Sequence, residues 1–187
     1  MQVTFIKPTL GCLDDGERFV DEGRMEPLSL AVLAGLTPPG VDCRLFTDLG
    51  IPRHPAEILY VGSVSRRKGI FELFRAYAQV WQAWPEVQLT IVGSLPQGGT
   101  SEQWVTQLLH TLPEPARTSV HFVGRVPHQH LPQYYNQATL AVFPSLAEAF
   151  GLTCAEAMAC GTPVLMTGAA SGPELVEDGV SGLLVDV

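Results

Sequence analysis

The 187-residue chain is predicted to fold as an α/β domain, a Rossmann-like parallel sheet with helices on both faces. Two features of the sequence predict this. Short apolar runs such as ILYV (58–61), LTIV (89–92) and LAVF (140–143) recur, as strands buried on both faces require. Between them lie stretches of helix length, and in one of these Ile70, Phe74, Tyr77 and Trp81 recur three and four residues apart, forming one buried stripe. The composition agrees, with 46% hydrophobic and 16% charged residues, enough for a globular core without staples.

The elements follow in order. A strand is expected over 3–6, then a helix over 27–36 that opens on Pro27, whose fixed φ suits a first helical position. TPPG (37–40) stops that helix, and an alternating strand follows over 41–46. Two prolines and a glycine then break the periodicity across 49–57. Beyond that break the expected strands are 58–61, 88–92, 120–123, 140–143, 163–166 and 182–185. The expected helices are 70–81, 102–109, 131–137 and 152–160, with a short one near Glu174. The chain thus divides into an incomplete β-α-β segment, 1–57, and a larger domain, 58–187. The first part is too small to cover both faces of a parallel sheet, and one option for it is to add edge strands to the larger sheet.

Charge and cysteine usage narrow the function classes. Eleven Lys+Arg against nineteen Asp+Glu leave a net charge of −8, which disfavours nucleic acid and anionic membranes as main partners. Cys12, Cys43, Cys154 and Cys160 show neither zinc nor iron–sulfur spacing, so they read as reduced thiols of a cytoplasmic protein. The N-terminus has no basic region leading into a long apolar stretch, and no apolar run is long enough to span a bilayer. His121, His128 and His130 offer no third kind of metal ligand and read as solvated loop histidines, with no metal site expected.

In a doubly wound sheet the ligand lies beyond the carboxyl ends of the strands, so the strand-to-helix loops carry the chemistry. The first is YVGSVSRRKG, 60–69, where Gly62 permits close backbone approach and Arg66, Arg67 and Lys68 precede a helix start, a favourable anion site. It could equally be a solvated basic turn. The absence of a Walker A pattern and of G-x-G-x-x-G argues against a P-loop NTPase or a dinucleotide oxidoreductase. The second loop is PSLAEAFGLTCAEAMACGTPV, 144–164. There Glu148 follows a strand, and the backbone N–H groups of Gly151, Leu152 and Thr153 open a helix. Glu156 lies one turn into that helix, where it can accept hydrogen bonds from vicinal hydroxyls or stand as an ordinary solvated residue.

Glu148 and Glu156 form an E-x7-E arrangement that closely resembles the signature of family 4 glycosyltransferases, retaining enzymes of the GT-B fold. LTIVG (89–93), VHFVGRV (120–126), YYNQATLAVFPS (134–145) and ELVEDGVSGLLV (174–185) match the same family in order and spacing. The resemblance implies the donor-binding half of such an enzyme, which takes a UDP-, GDP- or ADP-sugar and needs no cofactor. It implies that Glu156 holds the ribose, that Glu148 contacts the transferred sugar and that Lys68 meets the diphosphate. Glu148 and Lys68 are then the catalytic candidates. Phe150, Gly151, Leu152 and Thr153 would line the sugar and diphosphate, Gly62 and Arg67 the phosphate loop, and Arg125 and Val126 the base. Where the family often has arginine, this chain has Ser63, so Arg66 or Arg67 is expected to supply the charge.

The first 50 residues resemble the opening β-α-β of the cobalamin-binding domain in cobalamin-dependent radical SAM proteins. The later D-x-H-x-x-G loop and the cluster cysteines are absent, so no cobalamin function is implied. The family usually continues past GLLV, which makes a truncated donor half the expectation, with a separate acceptor-binding domain as its partner. Alone, the chain is expected to transfer sugar weakly or not at all. The alternative is an inert nucleotide-sugar-binding module or remnant.

Overall fold

The computed structural model describes residues 2–6, 42–46, 57–96 and 101–186. The helix expected over 27–36 and the break at 49–56 lie outside these residues. Strands β1 (Gln2–Ile6) and β2 (Asp42–Phe46) pair in parallel, in register from Gln2↔Asp42 to Ile6↔Phe46. They form a two-stranded sheet of their own and hydrogen-bond to no strand of the larger sheet, so the edge-strand option is not the one taken. Strands that follow one another in sequence commonly lie side by side.

The main sheet has six parallel strands: β3 (Glu57–Val61), β4 (Gln88–Val92), β5 (Val120–Gly124), β6 (Leu140–Phe143), β7 (Val164–Thr167) and β8 (Leu183–Val185). Their spatial order is β5-β4-β3-β6-β7-β8. The chain builds outward from β3 to β5, returns to lay β6 against the other side of β3, and then builds outward again. This is the doubly wound order, and its switch point lies between β3 and β6.

Helices α1 (Ile70–Ala83), α2 (Ser101–Leu109), α3 (Leu131–Gln137), α4 (Leu152–Ala159) and the one-turn α5 (Gly172–Leu175) connect the strands. The pleat sends alternate residues to opposite faces. Leu59 and Val61 pack with Ala141, Phe143 and the alanines of α4, whereas Tyr60 and Val142 pack with Phe71, Phe74 and Tyr77 of α1. Ile70, Phe74 and Tyr77 are fully buried, as their spacing predicts, while Trp81 is only half-buried and Phe71 and Leu73 widen the stripe. α4 ends in a Schellman motif, in which the Gly161 N–H donates to Met158 O at 2.9 Å and the Thr162 N–H to Ala157 O at 3.0 Å. Gly161 supplies the left-handed φ of 68° that this motif needs. Among the described residues no helix is long and apolar enough to cross a membrane.

Candidate functional site at the switch point

Because β3 and β6 are neighbours, the loops at their carboxyl ends meet, although 80 residues separate Lys68 from Glu148 in sequence. A short 3-10 turn, Arg66–Lys68, follows β3 and closes on Gly69, whose φ of 68° starts α1. A Cβ at Gly69 would stand 1.7 Å from the carbonyl oxygen of Pro144, so the absence of a side chain lets the two loops touch. The Leu146 N–H donates to Arg67 O at 2.9 Å, tying the loops through their backbones.

Across this seam the Lys68 ammonium forms a salt bridge with the Glu148 carboxylate, both side chains being largely shielded from solvent. Burial pushes the Glu148 carboxyl up. The hydrogen bond and charge of Lys68, with the N–H groups of Gly151 and Ala149, outweigh that and hold it below the usual carboxylate range. The Ala149 N–H donates to Glu148 Oε1 at 3.2 Å. Cys154 and Ala155 N–H close on Gly151 O at 2.9 and 3.1 Å, leaving Leu152 and Thr153 to present the open N–H groups of α4. Phe150 and Leu152 project into solvent at 72% and 58% exposure.

Arg66 lines one pocket together with Ser63, Ser65, Ser94 and Trp104. Ser63 is exposed, and its carbonyl accepts a 2.9 Å bond from the hydroxyl of buried Tyr60. The Arg66 guanidinium lies 4.4 Å from the ring centroid of Phe71 and 5.8 Å from that of Trp104, held by cation–π attraction toward α1 and α2. Arg67 is exposed beside Glu148's loop, with Nη1 3.5 Å from Ala147 O. Gly62 N–H is committed to Val92 O at 2.9 Å, which fixes the start of the loop.

Glu156 is no solvated helix residue. It is 7% exposed, and its carboxylate accepts the Tyr135 hydroxyl at 2.9 Å and His128 Nε2 at 2.8 Å. Tyr135 comes from α3 and His128 from the 3-10 turn His128–His130, just past the exposed Arg125 and half-buried Val126. Three loops therefore converge: Gly62, Ser63, Arg67 and Lys68 after β3, Arg125 to His128 after β5, and Glu148 to Glu156 after β6. Sequence reasoning missed Tyr135 and His128. The i-to-i+7 step from His128 to Tyr135 hints that both belong to one turn-and-helix unit, but their meeting with Glu156 depends on how α3 and α4 pack. Among the described residues no three His, Cys, Asp or Glu side chains converge as a metal site.

A doubly wound parallel sheet with charged loops meeting at its switch point defines the class, Rossmann-like α/β domains whose ligand crevice lies there. Within that class the chain belongs to the group 1 glycosyl transferases, the family whose profile matches residues 44–187. A D-inositol 3-phosphate glycosyltransferase from Thermobifida fusca (strain YX) is 36% identical over 163 residues, spanning 79% of this chain and 37% of the relative. Sucrose-phosphate synthase from Thermosynechococcus elongatus superposes with a TM-score of 0.62 at 33% identity, over 87% of this chain and 44% of that one. Anabaena Alr3699/HepE, solved in complex with UDP-glucose, superposes with a TM-score of 0.62 at 25% identity, over 83% of this chain and 46% of that one. The chain spans less than half the length of each of these proteins.

Proposed function

We propose that the chain is the donor-binding half of a retaining GT-B glycosyltransferase. It binds a nucleoside-diphosphate sugar and takes part in its transfer to an acceptor hydroxyl held by a separate domain. The observation that carries this reading is the Lys68–Glu148 pair across the β3/β6 switch point, with the buried carboxylate of Glu156 in the helix that follows Glu148. A cation, open helix N–H groups and two carboxylates suit the three parts of such a donor. Lys68 and the Leu152 and Thr153 N–H groups meet the diphosphate, with Arg67 at the rim. Glu148 accepts from hydroxyls of the sugar and Glu156 from those of the ribose. The base rests against Arg125 and Val126. The proposed donor domain is 58–187, and the segment of different origin is confined to residues ahead of 44, where the family match begins.

The chemistry follows from charge. As the glycosidic bond breaks, negative charge grows on the departing diphosphate, and fixed donors already aimed at it lower the barrier. On this reading no side chain of the site forms a covalent intermediate. The Lys68 ammonium rests on Glu148, and the diphosphate competes for it, freeing the carboxylate for the sugar hydroxyls.

A thermal-shift titration with UDP, GDP and ADP and their sugars tests the proposal. One nucleotide series should raise the melting temperature saturably, and Glu156→Ala should abolish that rise. A cooperative melt that no nucleotide moves would contradict the proposal and leave an inert remnant, with Ser63 the first residue to suspect.

A further inference from the structure

Among the described residues Glu156 is the only acidic or basic side chain buried from solvent, at 7% exposure. An ionised carboxylate in such a place is costly unless donors satisfy it. Two donors do, one on each oxygen: the Tyr135 hydroxyl on Oε2 at 2.9 Å and His128 Nε2 on Oε1 at 2.8 Å. They reach Glu156 from opposite kinds of support. Tyr135 is fully buried in α3, whereas the His128 side chain is 47% exposed on the turn after β5. Burial above all, and then Glu156 itself, push the Tyr135 hydroxyl well above its ordinary pKa, so it remains a donor at any working pH. A carboxylate only accepts, so His128 Nε2 carries the proton in this bond.

Each carboxylate oxygen can accept two hydrogen bonds. With one position on each oxygen taken internally, one acceptor position remains on each, and the two bonds hold the carboxylate in place. Two oxygens held in this way match two neighbouring hydroxyls. We propose that His128 and Tyr135 are positioning residues, which orient the Glu156 carboxylate so that it recognises a vicinal diol on the nucleotide. This rests on the reading of Glu156 as the ribose-binding residue. It adds that recognition of the diol depends on two side chains that do not themselves touch the nucleotide. Since His128 stands two residues beyond Val126, the loop assigned to the base also carries one of the groups that aim the carboxylate.

The test is isothermal titration of the full chain with UDP, GDP and ADP, each beside its 2′,3′-dideoxy form. The wild type should prefer the diol form of whichever nucleotide it takes. His128→Ala and Tyr135→Phe should each weaken the diol form by about ten- to a hundred-fold, the scale of one hydrogen bond to a charged group, and leave the dideoxy form nearly unchanged. His128→Gln, whose side-chain amide can donate from a similar place, should recover most of the loss. Because Tyr135→Phe alters the core, His128→Ala is the deciding variant, and its melt should stay cooperative. Equal weakening of both forms would make His128 merely structural. An unchanged or tighter diol complex would mean that His128 idles beside the carboxylate or covers it. Any of these results overturns the inference. If Glu156→Gln loses the diol preference while His128→Ala keeps it, the inference fails alone. If the wild type binds no nucleotide, the donor-site reading fails and the inference with it.

Discussion

On the proposed reading the Lys68–Glu148 contact serves both stability and donor binding, and the two uses respond differently to pH. The Glu148 carboxyl is held below its ordinary value of 4.5, so it contributes stability above that pH and loses it as pH falls through the lowered folded value. The gap in melting temperature between wild type and Glu148→Gln should therefore be full at neutral pH and shrink below about pH 4.5. A gap independent of pH would show that the pair adds nothing electrostatic. Lys68→Ala should instead weaken diphosphate binding by about ten- to a hundred-fold, since it removes a charged donor and leaves Glu148 facing the phosphates. Titration of that variant with the nucleotide that stabilises the wild type measures the loss. The types of these residues were legible in sequence, but the bridge between them was not. It forms because β6 returns to the side of β3, and no local pattern encodes that step. His128 was harder still, since an exposed histidine in a loop carries no period and nothing nearby in sequence names its partner.

At the scale of elements, the apolar runs located β4, α3 and β6 to the residue, because each begins and ends where the pattern changes. α1 runs two residues beyond the expected end, since the helix completes its turn to a Trp84 cap after its apolar stripe has stopped. β7 starts one residue later than expected, at Val164, because Pro163 has no N–H to pair and contributes only its carbonyl, to Ala141 at 2.9 Å. The 3-10 turns Arg66–Lys68, Glu114–Ser119 and His128–His130 escaped the reading, as such short pieces show no hydrophobic period. Two joints between elements can be tested by substitution. The buried Tyr77 hydroxyl ties α1 to Val87 O at 2.8 Å and to Ser119 Oγ at 2.6 Å. Tyr77→Phe should cost about 1–3 kcal/mol in denaturant unfolding, because the acceptors left behind stay buried. Gly69→Ala should cost more than the roughly 1–2 kcal/mol of a left-handed residue, because Pro144 must also retreat. A near-neutral Gly69→Ala would mean that the two loops do not meet as described.

For the whole molecule, one topological fact organises the rest. Six parallel strands wound outward in both directions from β3 and β6 leave a crevice where the winding reverses, and the basic and acidic loops both open there. The repeating strand-and-helix pattern made that class legible, since continuous apolar strands demand cover on both faces. The strand order was not legible, and with it went the geometry of the crevice. Hydrogen–deuterium exchange of the full chain, with and without the stabilising nucleotide, tests the central claim most directly. The account predicts slowed exchange confined to three loops, 62–69, 124–130 and 148–156, with α2 and β8 unaffected. Protection spread over other elements, or none at saturating nucleotide, would contradict a donor site at the β3/β6 switch point.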